Sequence, residues 1–568
     1  MSSLLTVWPV SVVPSLQMSH CIERLGGICF RGALFSWRLC DAVGAGWHHG
    51  CMSFEIPEAL SGVPRRVDDG LPLASELRRQ LLAGEISAVG VAQDVAERVR
   101  SKNPDLNAVV TWDEDMLLAQ AREADDALAG FRGSATADPA AASNSAGADS
   151  AALGKRVPPL LGLPMGLKDG LDVAGLPTTH GSAAVDHVVA GEDGLHASRL
   201  RSSGANLFAK TAVPEFLLSC HSENPIHPPA RNPLDVSRTP GGSSGGAAAA
   251  VAGGLMPVAP GNDGGGSVRI PASATGLVGL KLGRGAMVED ITDEDGTVSA
   301  VDRWGAPKLA VTGPLGRDAR DAALMLDGLL FDRSRLAAGH SATPALDAVV
   351  NTLDHSEGLS GLHVGFTRAS AFDAALPVVI SPAAEAAFAR ACAVLERLGA
   401  AVEESPWEAP SDYDETFRKV WTAVLGRAPI QYEDKLGDLA ASFRAEAQAR
   451  APQEQENANE RLLEIGGAMS TAWGSFDVVV TPAMADTPPR IGYFTEHDGA
   501  TDYRLQCLYT PYTSMVNVAG VPAVTVPVGW TPDGFSMSAQ LIGRMGSEVQ
   551  LLCIAALMQR ELASESLI

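Results

Sequence analysis

Two glycine- and serine-rich segments in the middle of the chain carry the residue types that acyl transfer needs. The first spans Gly241–Gly246 and includes Ser243, and the second runs from Gly264 into Ser267. A serine hydroxyl can attack a carbonyl carbon, and glycine allows backbone N–H groups to approach the oxyanion that forms. The pattern therefore predicts a hydrolase with a serine nucleophile beside a glycine loop.

Lys168 is a third candidate because it follows the short apolar segment Leu160–Leu167. A lone lysine is usually a solvated surface charge. Burial, however, makes a charged ammonium costly and lowers its pKa, so that the neutral amine can accept a proton near neutral pH. Together with the two serine segments, a buried Lys168 predicts a serine-dependent amide hydrolase.

Helices are predicted on both sides of these segments. Ala247–Ala252 is a strong helix former, so the first glycine-rich loop delivers its serines to a helix N-terminus. Leucines and valines recur at three- and four-residue spacing between residues 70 and 99, and a third helix is predicted over Glu114–Leu128. Residues 133–156 lack periodicity and are rich in Ala, Ser, Gly and Asp, which indicates a flexible insertion.

Other interpretations of the glycine-rich segments fit less well. Flexible linkers seldom lie between apolar segments, and no phosphate-binding glycine motif follows a clear strand. The segment Gly242–Gly246 does match G-x-S-x-G, the nucleophile elbow of α/β-hydrolases, with Ser244 as nucleophile. That elbow needs a strand before it, whereas residues 235–240 are typical of a turn. An esterase that uses Ser244 is kept as an alternative.

Composition and charge exclude several classes of protein. The 568 residues would allow three or four domains, and 46% hydrophobic with 5% aromatic residues fits an α/β enzyme. A formal charge of -24 argues against binding to nucleic acid or to an anionic membrane. The sequence contains no uninterrupted run of about 18 apolar residues, so no transmembrane helix is predicted. Partners are therefore expected to be small molecules.

Residues 1–51 differ from the rest of the chain in composition. They hold four of the eight cysteines and three of the nine tryptophans. A secretory signal would need a basic residue before the apolar run, but the first is Arg24, and Pro9 and Pro14 interrupt the run. We instead expect an over-extended reading frame with the natural start at Met52, and a disordered or loosely packed extension.

The four cysteines within residues 1–51 lack the paired C-x-x-C spacing of a zinc site, and the four later cysteines are scattered without the pattern of a disulfide framework. These are Cys220, Cys392, Cys507 and Cys553. Their distribution predicts a cytoplasmic protein.

Three segments resemble the amidase signature family, namely Gly162–Asp169, Pro240–Gly246 and Gly261–Lys281. Shorter pieces at 177–182, 215–216, 313–315 and 517–523 agree with it, and the similarity covers roughly residues 70 to 560. The resemblance implies one large α/β domain with a central mixed sheet covered by helices on both faces. Its predicted parts are an extension over 1–51, a helical part over 52–132, a flexible insertion over 133–158, the catalytic core over 159–335, and a remainder over 336–568.

The resemblance also implies a catalytic triad. Ser267 would be the nucleophile, Ser243 would relay its proton, and neutral Lys168 would accept it. The peptide bond between Gly242 and Ser243 would be cis, and Ser244 would support the bridge.

Further roles follow from the same resemblance. Backbone N–H groups of the glycine loop would form the oxyanion hole, while Asp263 and Arg269 would pair to fix that loop. The hole would comprise Gly264, Gly265, Gly266 and Ser267. The resemblance implies no metal and no cofactor, and it leaves a homodimer open.

Two departures from the common family pattern concern the substrate. Asn262 and Gly264 stand where threonine is usual, which is similar to a branch that hydrolyses cyclic amides, aryl amides, nylon-oligomer lactams and carbamates. Residues 282–285 also depart from the usual Pro-Thr or Pro-Ser. We therefore expect an amidase for a non-peptide amide, with aryl amides, carbamates (a urethanase activity) and lactam oligomers open.

Substrate choice is expected in the helical segment Phe417–Phe476, which would roof the pocket, and near Leu217, Leu218, Cys220 and 503–512. Two alternatives remain open besides the esterase. One is the glutamine-hydrolysing subunit of a tRNA-dependent amidotransferase, and the other is a silent binding protein, which would need a broken triad.

Overall fold

A mixed sheet lies at the centre of the computed structural model, which describes residues 60, 70–136, 154–293 and 295–565. The predicted extension over 1–51 and most of the predicted insertion, 137–153, lie outside the described residues. In chain order, the strands are β1 Val109–Trp112, β2 Pro164–Lys168, β3 Pro177–Thr178, β4 Val188–Val189, β5 Asn206–Thr211, β6 Ala259–Asp263, β7 Val278–Lys281, β8 Val311–Gly316, β9 His363–Phe366, β10 Ala401–Glu404, β11 Val478–Pro482, β12 Ala523–Trp530 and β13 Ser536–Gly543.

Helices occupy most of the chain between these strands. They are α1 Ala74–Ala83, α2 Ala88–Leu106, α3 Glu114–Thr136, α4 Leu195–Ser202, α5 Gly245–Ala252, α6 Arg269–Thr275, α7 Ala319–Leu329, α8 Arg333–Ala337, α9 Pro344–His355, α10 Pro382–Arg397, α11 Tyr413–Arg427, α12 Asp438–Ala449, α13 Pro452–Trp473, α14 Gly499–Tyr509, α15 Ser514–Ala519 and α16 Glu548–Glu565. Short 3₁₀ turns cover Glu215–Leu217, Val288–Ile291 and Glu433–Lys435.

Within the described residues, the main sheet has eight strands in the order β10-β9-β11-β13-β12-β7-β8-β6. The pairs β10–β9 and β9–β11 are parallel, and the remaining neighbours are antiparallel. Every residue of β12 and β13 is buried. Because successive side chains of a strand point to opposite faces, both faces of the sheet must be covered by helices. The predicted fold class is therefore confirmed.

The strand that ends at Lys168 belongs to a second, three-stranded sheet with the order β1-β5-β2. Strand β2 runs parallel to β5 and packs against β6, the edge strand of the main sheet. Since β6 ends at Asp263, the two sheets bring the ends of β2 and β6 together. Helices α5 and α6, which follow the two serine segments, pack against each other beside these strands.

The predicted helices in the first part of the chain are present as α1, α2 and α3. The third was expected to end at Leu128 but continues to Thr136, so residues 133–136 of the predicted insertion are helical. Two glycines in this stretch disfavour a helix, yet Phe131 packs against the core and Arg132 donates a hydrogen bond to the Leu81 carbonyl. These tertiary contacts outweigh the low local helix propensity.

No helix among the described residues is long and apolar enough to cross a membrane.

Candidate active site

Lys168 is buried at the end of β2, with 1% of its surface exposed. Its Nζ donates to Ser243 Oγ at 2.8 Å and to the Asn262 carbonyl at 3.0 Å. Burial lowers the pKa of Lys168 to about 7, although the nearby charge of Asp263 opposes this shift. Lys168 is therefore buried as a proton acceptor requires, and both its neutral and its charged form are populated near pH 7.

Ser243 lies in the loop that leads into α5, and its peptide bond to Gly242 is cis, as the resemblance implies. The loop passes so close to His221 that a Cβ at Gly242 would collide with the His221 carbonyl. Gly241 adopts a φ of 82°, in the left-handed region that favours glycine. Glycine at both positions therefore allows the chain to present Ser243 to Lys168.

Ser267 ends the loop that joins β6 to α6, and 7% of its surface is exposed. The backbone carbonyl of Ser267 accepts a hydrogen bond from the Ser244 N–H at 3.2 Å, which ties the two serine segments together. Within the described part of the chain, the hydroxyls of Ser243 and Ser267 are not hydrogen-bonded to each other. Lys168 and Ser243 are thus in direct contact. The backbone hydrogen bond between Ser244 and Ser267 holds the segment of Ser267 next to that of Ser243.

Asp263 and Arg269 form a buried ion pair below the glycine loop, with Arg269 Nη2 2.9 Å from Asp263 Oδ1. Burial alone would raise the pKa of the Asp263 carboxyl, but the charge and hydrogen bonds of Arg269 hold it well below its usual range. The carboxylate also accepts from the Gly266 and Val268 N–H groups at 2.7 and 3.1 Å. The pair predicted from the sequence therefore exists and fixes the loop.

Three residues from the last part of the chain complete this network. Arg269 donates to the Thr513 carbonyl at 2.9 Å, to Gln540 Oε1 at 2.6 Å and to Asn517 Oδ1 at 2.5 Å. Asn517 returns a hydrogen bond to the Asp263 carbonyl at 2.7 Å. Sequence reasoning gave these residues no role, although Asn517 begins one of the pieces that resemble the family.

The glycine loop differs from the expectation at Gly266. Its N–H donates to Asp263 Oδ1, so it is engaged within the protein rather than directed at an oxyanion. Gly266 has a φ of 131°, and a Cβ there would collide with Thr513 Oγ1 and lie 2.6 Å from Ile270 Cδ1. Among the described residues, no acceptor is paired with the N–H groups of Gly264, Gly265 or Ser267.

Ser244 does not have the surroundings of a nucleophile elbow. Its side chain is fully buried, and its Oγ accepts from the Asn262 N–H at 3.2 Å. Among the described residues, the last strand before Ser244 ends at Thr211, so no strand leads directly into the serine. The alternative of an esterase elbow is therefore wrong, and Ser244 instead ties α5 to β6.

A partly open cavity lies beside Ser267. Its aromatic wall consists of Phe372, Phe417, Trp421 and Tyr503. The other lining residues are Leu218, Ser219, Cys220, Gly265, Ser267, Ile270, Gln506, Cys507, Thr510 and Ser514. Of the positions expected to govern substrate choice, Leu218, Cys220, the start of the predicted roof and four residues of 503–512 border the cavity. Leu217 packs against Gly170 instead.

Other buried ionisable groups lie near the site. Lys281 Nζ donates to the Leu282 carbonyl at 2.8 Å, and burial lowers its pKa to about 7. Asp169 follows Lys168 in the sequence and pairs with buried Lys210 at 3.2 Å. No group of His, Cys, Asp and Glu among the described residues could hold a metal ion.

Comparisons with known proteins agree with this geometry. The family model described as Amidase matches residues 117–552. A protein named "Putative amidase AmiB2" in Mycobacterium tuberculosis is 33% identical over 410 residues, covering 71% of this chain and 82% of its own. A glutamyl-tRNA(Gln) amidotransferase subunit from Carboxydothermus hydrogenoformans is 29% identical over 520 residues, covering 85% and 95%.

Solved structures share the fold over most of the chain. The 6-aminohexanoate cyclic dimer hydrolase, complexed with substrate, superposes with a TM-score of 0.70 at 26% identity and covers 86% of this chain and 97% of its own. A bacterial aryl acylamidase superposes with a TM-score of 0.69 at 22% identity and covers 87% and 97%. The second likeness concerns the fold alone.

Proposed function

Since this chain belongs to the amidase family, we propose that it hydrolyses a non-peptide carboxylic amide through an acyl-enzyme on Ser267. The observation that carries the proposal is the contact of Ser243 with a buried Lys168 whose pKa is lowered to about 7, beside a serine at the end of a glycine loop. A neutral amine in hydrogen-bond reach of a hydroxyl is what a proton acceptor in acyl transfer requires.

In the first step, Ser267 Oγ attacks the amide carbonyl carbon and a new C–O bond forms. The Ser267 proton passes to Ser243, whose own proton passes to Lys168 Nζ. The proton then returns through Ser243 to the leaving nitrogen as the C–N bond breaks. Water next attacks the acyl-enzyme along the same route, which releases the carboxylic acid and restores Ser267.

The developing oxyanion would be bound by backbone N–H groups of the glycine loop. Gly264, Gly265 and Ser267 supply donors that no described residue engages, while Asp263 holds Gly266 in place. Losing one such donor typically costs about 100- to 1000-fold in turnover.

The substrate class includes aryl amides, carbamates and lactam oligomers as candidates. The likeness to the 6-aminohexanoate cyclic dimer hydrolase supports a cyclic or oligomeric amide. The likeness to a glutamyl-tRNA(Gln) amidotransferase keeps a glutaminase role as a second candidate. Glutamine hydrolysis by the isolated chain separates these two roles.

The proposal includes a small-molecule partner and a cytoplasmic location. Cys220, Cys392, Cys507 and Cys553 are all free thiols, which supports a reducing compartment. A homodimer stays open.

Intact-protein mass spectrometry tests the proposal. The chain is exposed briefly to aryl, aliphatic, cyclic and carbamate substrates and to a sulfonyl fluoride, and the modified peptide is then mapped. We expect an adduct on Ser267 whose mass identifies the acyl group. An adduct on another serine, or no adduct with any reagent, contradicts the assignment.

A further inference from the structure

The cavity beside Ser267 has two properties that bear on substrate choice, an aromatic wall and a lining without charge. We infer that it takes an uncharged amide carrying an aryl ring, and that Trp421 is the residue that selects the ring. This inference rests on the proposed function and narrows its substrate class.

Two rings of the wall, Phe417 and Trp421, lie on one face of α11. Tyr413, Phe417 and Trp421 follow at four-residue spacing, so their side chains lie on the same side of the helix. Neighbouring rings stack, with centroids 5.6 Å apart for Tyr413 and Phe417 and 5.5 Å apart for Phe417 and Trp421. Phe372 meets Phe417 edge-on at 6.3 Å. The Trp421 ring is thus held in place before any ligand arrives.

The base of this stack is fixed by a hydrogen bond. The Tyr413 hydroxyl lies 2.9 Å from Ser514 Oγ, and Ser514 itself lines the cavity. A fixed aromatic surface binds a planar group with little loss of side-chain entropy.

Trp421 lies against the part of the loop that would receive the scissile carbonyl. A Cβ at Gly264 would be 3.3 Å from Trp421 Cη2, and one at Gly265 would be 3.6 Å away. The side chain is half-buried, since Phe417 stacks against one face of the ring while the ring borders the cavity. A ring next to the scissile carbon would therefore contact Trp421 directly.

None of the described residues that line the cavity carries a charge. Among the charged side chains near the lining, Asp502 and Arg418 are hydrogen-bonded within the protein. Asp502 Oδ1 accepts from Gln506 Nε2 at 2.7 Å, and Arg418 Nε donates to Glu446 at 2.9 Å. A substrate ammonium or carboxylate would lose its water here without gaining a partner.

Two polar side chains of the lining are hydrogen-bonded within the protein, whereas the buried Tyr503 hydroxyl has no hydrogen-bond partner among the described residues. Gln506 Oε1 accepts from the Cys220 N–H at 2.9 Å, and Thr510 Oγ1 donates to the Gln506 carbonyl at 2.9 Å. The cavity thus offers few sites for the α-amino and α-carboxylate groups of glutamine. Free glutamine is accordingly expected to be a poor substrate.

Matched pairs of amides test the choice of ring. The first pair, benzamide and cyclohexanecarboxamide, compares a flat with a puckered ring on the acyl side. The second pair, acetanilide and N-cyclohexylacetamide, makes the same comparison on the amine side. We expect kcat/KM to favour the aryl member of at least one pair by about 10-fold, the order of an aromatic contact. L-Glutamine is expected to react at least about 10-fold more slowly than the better aryl amide.

Variants on α11 assign the preference to Trp421. Trp421→Ala is expected to bring the aryl-to-cyclohexyl ratio close to one, and Trp421→Phe to keep most of it. Val424→Ala is the matched control, because Val424 lies on the same helix but is 58% exposed outside the cavity. Thermal unfolding of all three variants verifies that each is folded.

The inference would be overturned by an aryl-to-cyclohexyl ratio of kcat/KM close to one for both pairs, or by a ratio that Trp421→Ala leaves unchanged. Glutamine turnover equal to that of the aryl amides would overturn it as well. Binding to Ser267→Ala, measured by calorimetry, separates it from the proposed function. Tighter binding of the aryl member than of its cyclohexyl partner supports ring selection even if no acyl-enzyme forms. Equal dissociation constants within both pairs refute ring selection even if Ser267 is acylated.

Discussion

Lys168 Nζ lies 2.8 Å from Ser243 Oγ, although 75 positions of the sequence separate the two residues. The contact exists because β2 packs against β6 and both serine segments begin short helices beside these strands. The ammonium form of Lys168 can only donate in this contact, whereas the neutral amine can also accept a proton. The proposed chemistry therefore depends on pH.

Turnover is expected to rise with pH through about 7. Below the pKa of Lys168, about 7, the ammonium cannot accept a proton, so kcat/KM falls as the pH falls. Lys168→Arg, which stays protonated at all accessible pH values, is expected to lower turnover by about 100-fold or more. The pH dependence of kcat/KM is measured for both proteins, and a flat profile in the wild type would contradict the assignment of Lys168 as base.

Replacement of the two serines is expected to have unequal effects. Ser267→Ala removes the nucleophile and abolishes the adduct, whereas Ser243→Ala removes only the proton relay and leaves slow acylation of Ser267. Because both side chains are small and lie in preformed loops, the free energy of unfolding is expected to change little. Time-resolved mass spectrometry of the two variants measures this difference, and normal turnover by Ser267→Ala would exclude the mechanism.

Asp263→Asn is expected to destabilise the fold strongly. It leaves the buried Arg269 charge without its partner, which typically costs about 3–5 kcal/mol. Asp412→Asn is the control, because Asp412 pairs with Arg461 at the surface, where such pairs contribute at most about 1 kcal/mol. Urea unfolding measures the loss in free energy of unfolding for each variant. Equal losses would show that the buried Asp263–Arg269 pair stabilises the fold no more than the surface pair.

Alanine substitutions at Gly265 and Gly266 test whether the loop depends on the backbone conformation of Gly266. Gly266→Ala places a Cβ against Thr513 and requires a φ of 131°, so both stability and turnover are expected to fall. Gly265→Ala meets only Trp421 at 3.6 Å and Ser514 at 3.9 Å, which are ordinary contacts, so the fold is expected to remain stable. Thermal unfolding of the pair measures the contrast, and an unaltered Gly266→Ala protein would refute it.

The sequence was most informative where function restricts residue type over a short stretch. The serines and glycines of the two segments predicted a loop before α5, and that loop and helix are present. The apolar segment before Lys168 indicated burial, and Lys168 is buried. These features depend on neighbours within a few residues, which a sequence displays directly.

What the sequence did not reveal depends on contacts between distant residues. The partners of Arg269 at Thr513, Asn517 and Gln540 lie about 240 to 270 positions away, so no local pattern indicates them. The Gly266 N–H is directed at Asp263 by the path of the backbone, and a run of glycines looks the same whichever N–H is engaged.

Arg269 and Gln540 are 271 positions apart in the sequence, so their hydrogen bond forms only late in the synthesis of the chain. At roughly 5–20 residues per second, the ribosome needs on the order of 15–50 s to make Gln540 after it has made Arg269. Until then Arg269 lacks its hydrogen bond to Gln540, so ribosome-bound chains stalled before β13 are expected to resist labelling by a fluorophosphonate. The nascent enzyme is thus expected to become reactive only when almost the whole chain has been translated.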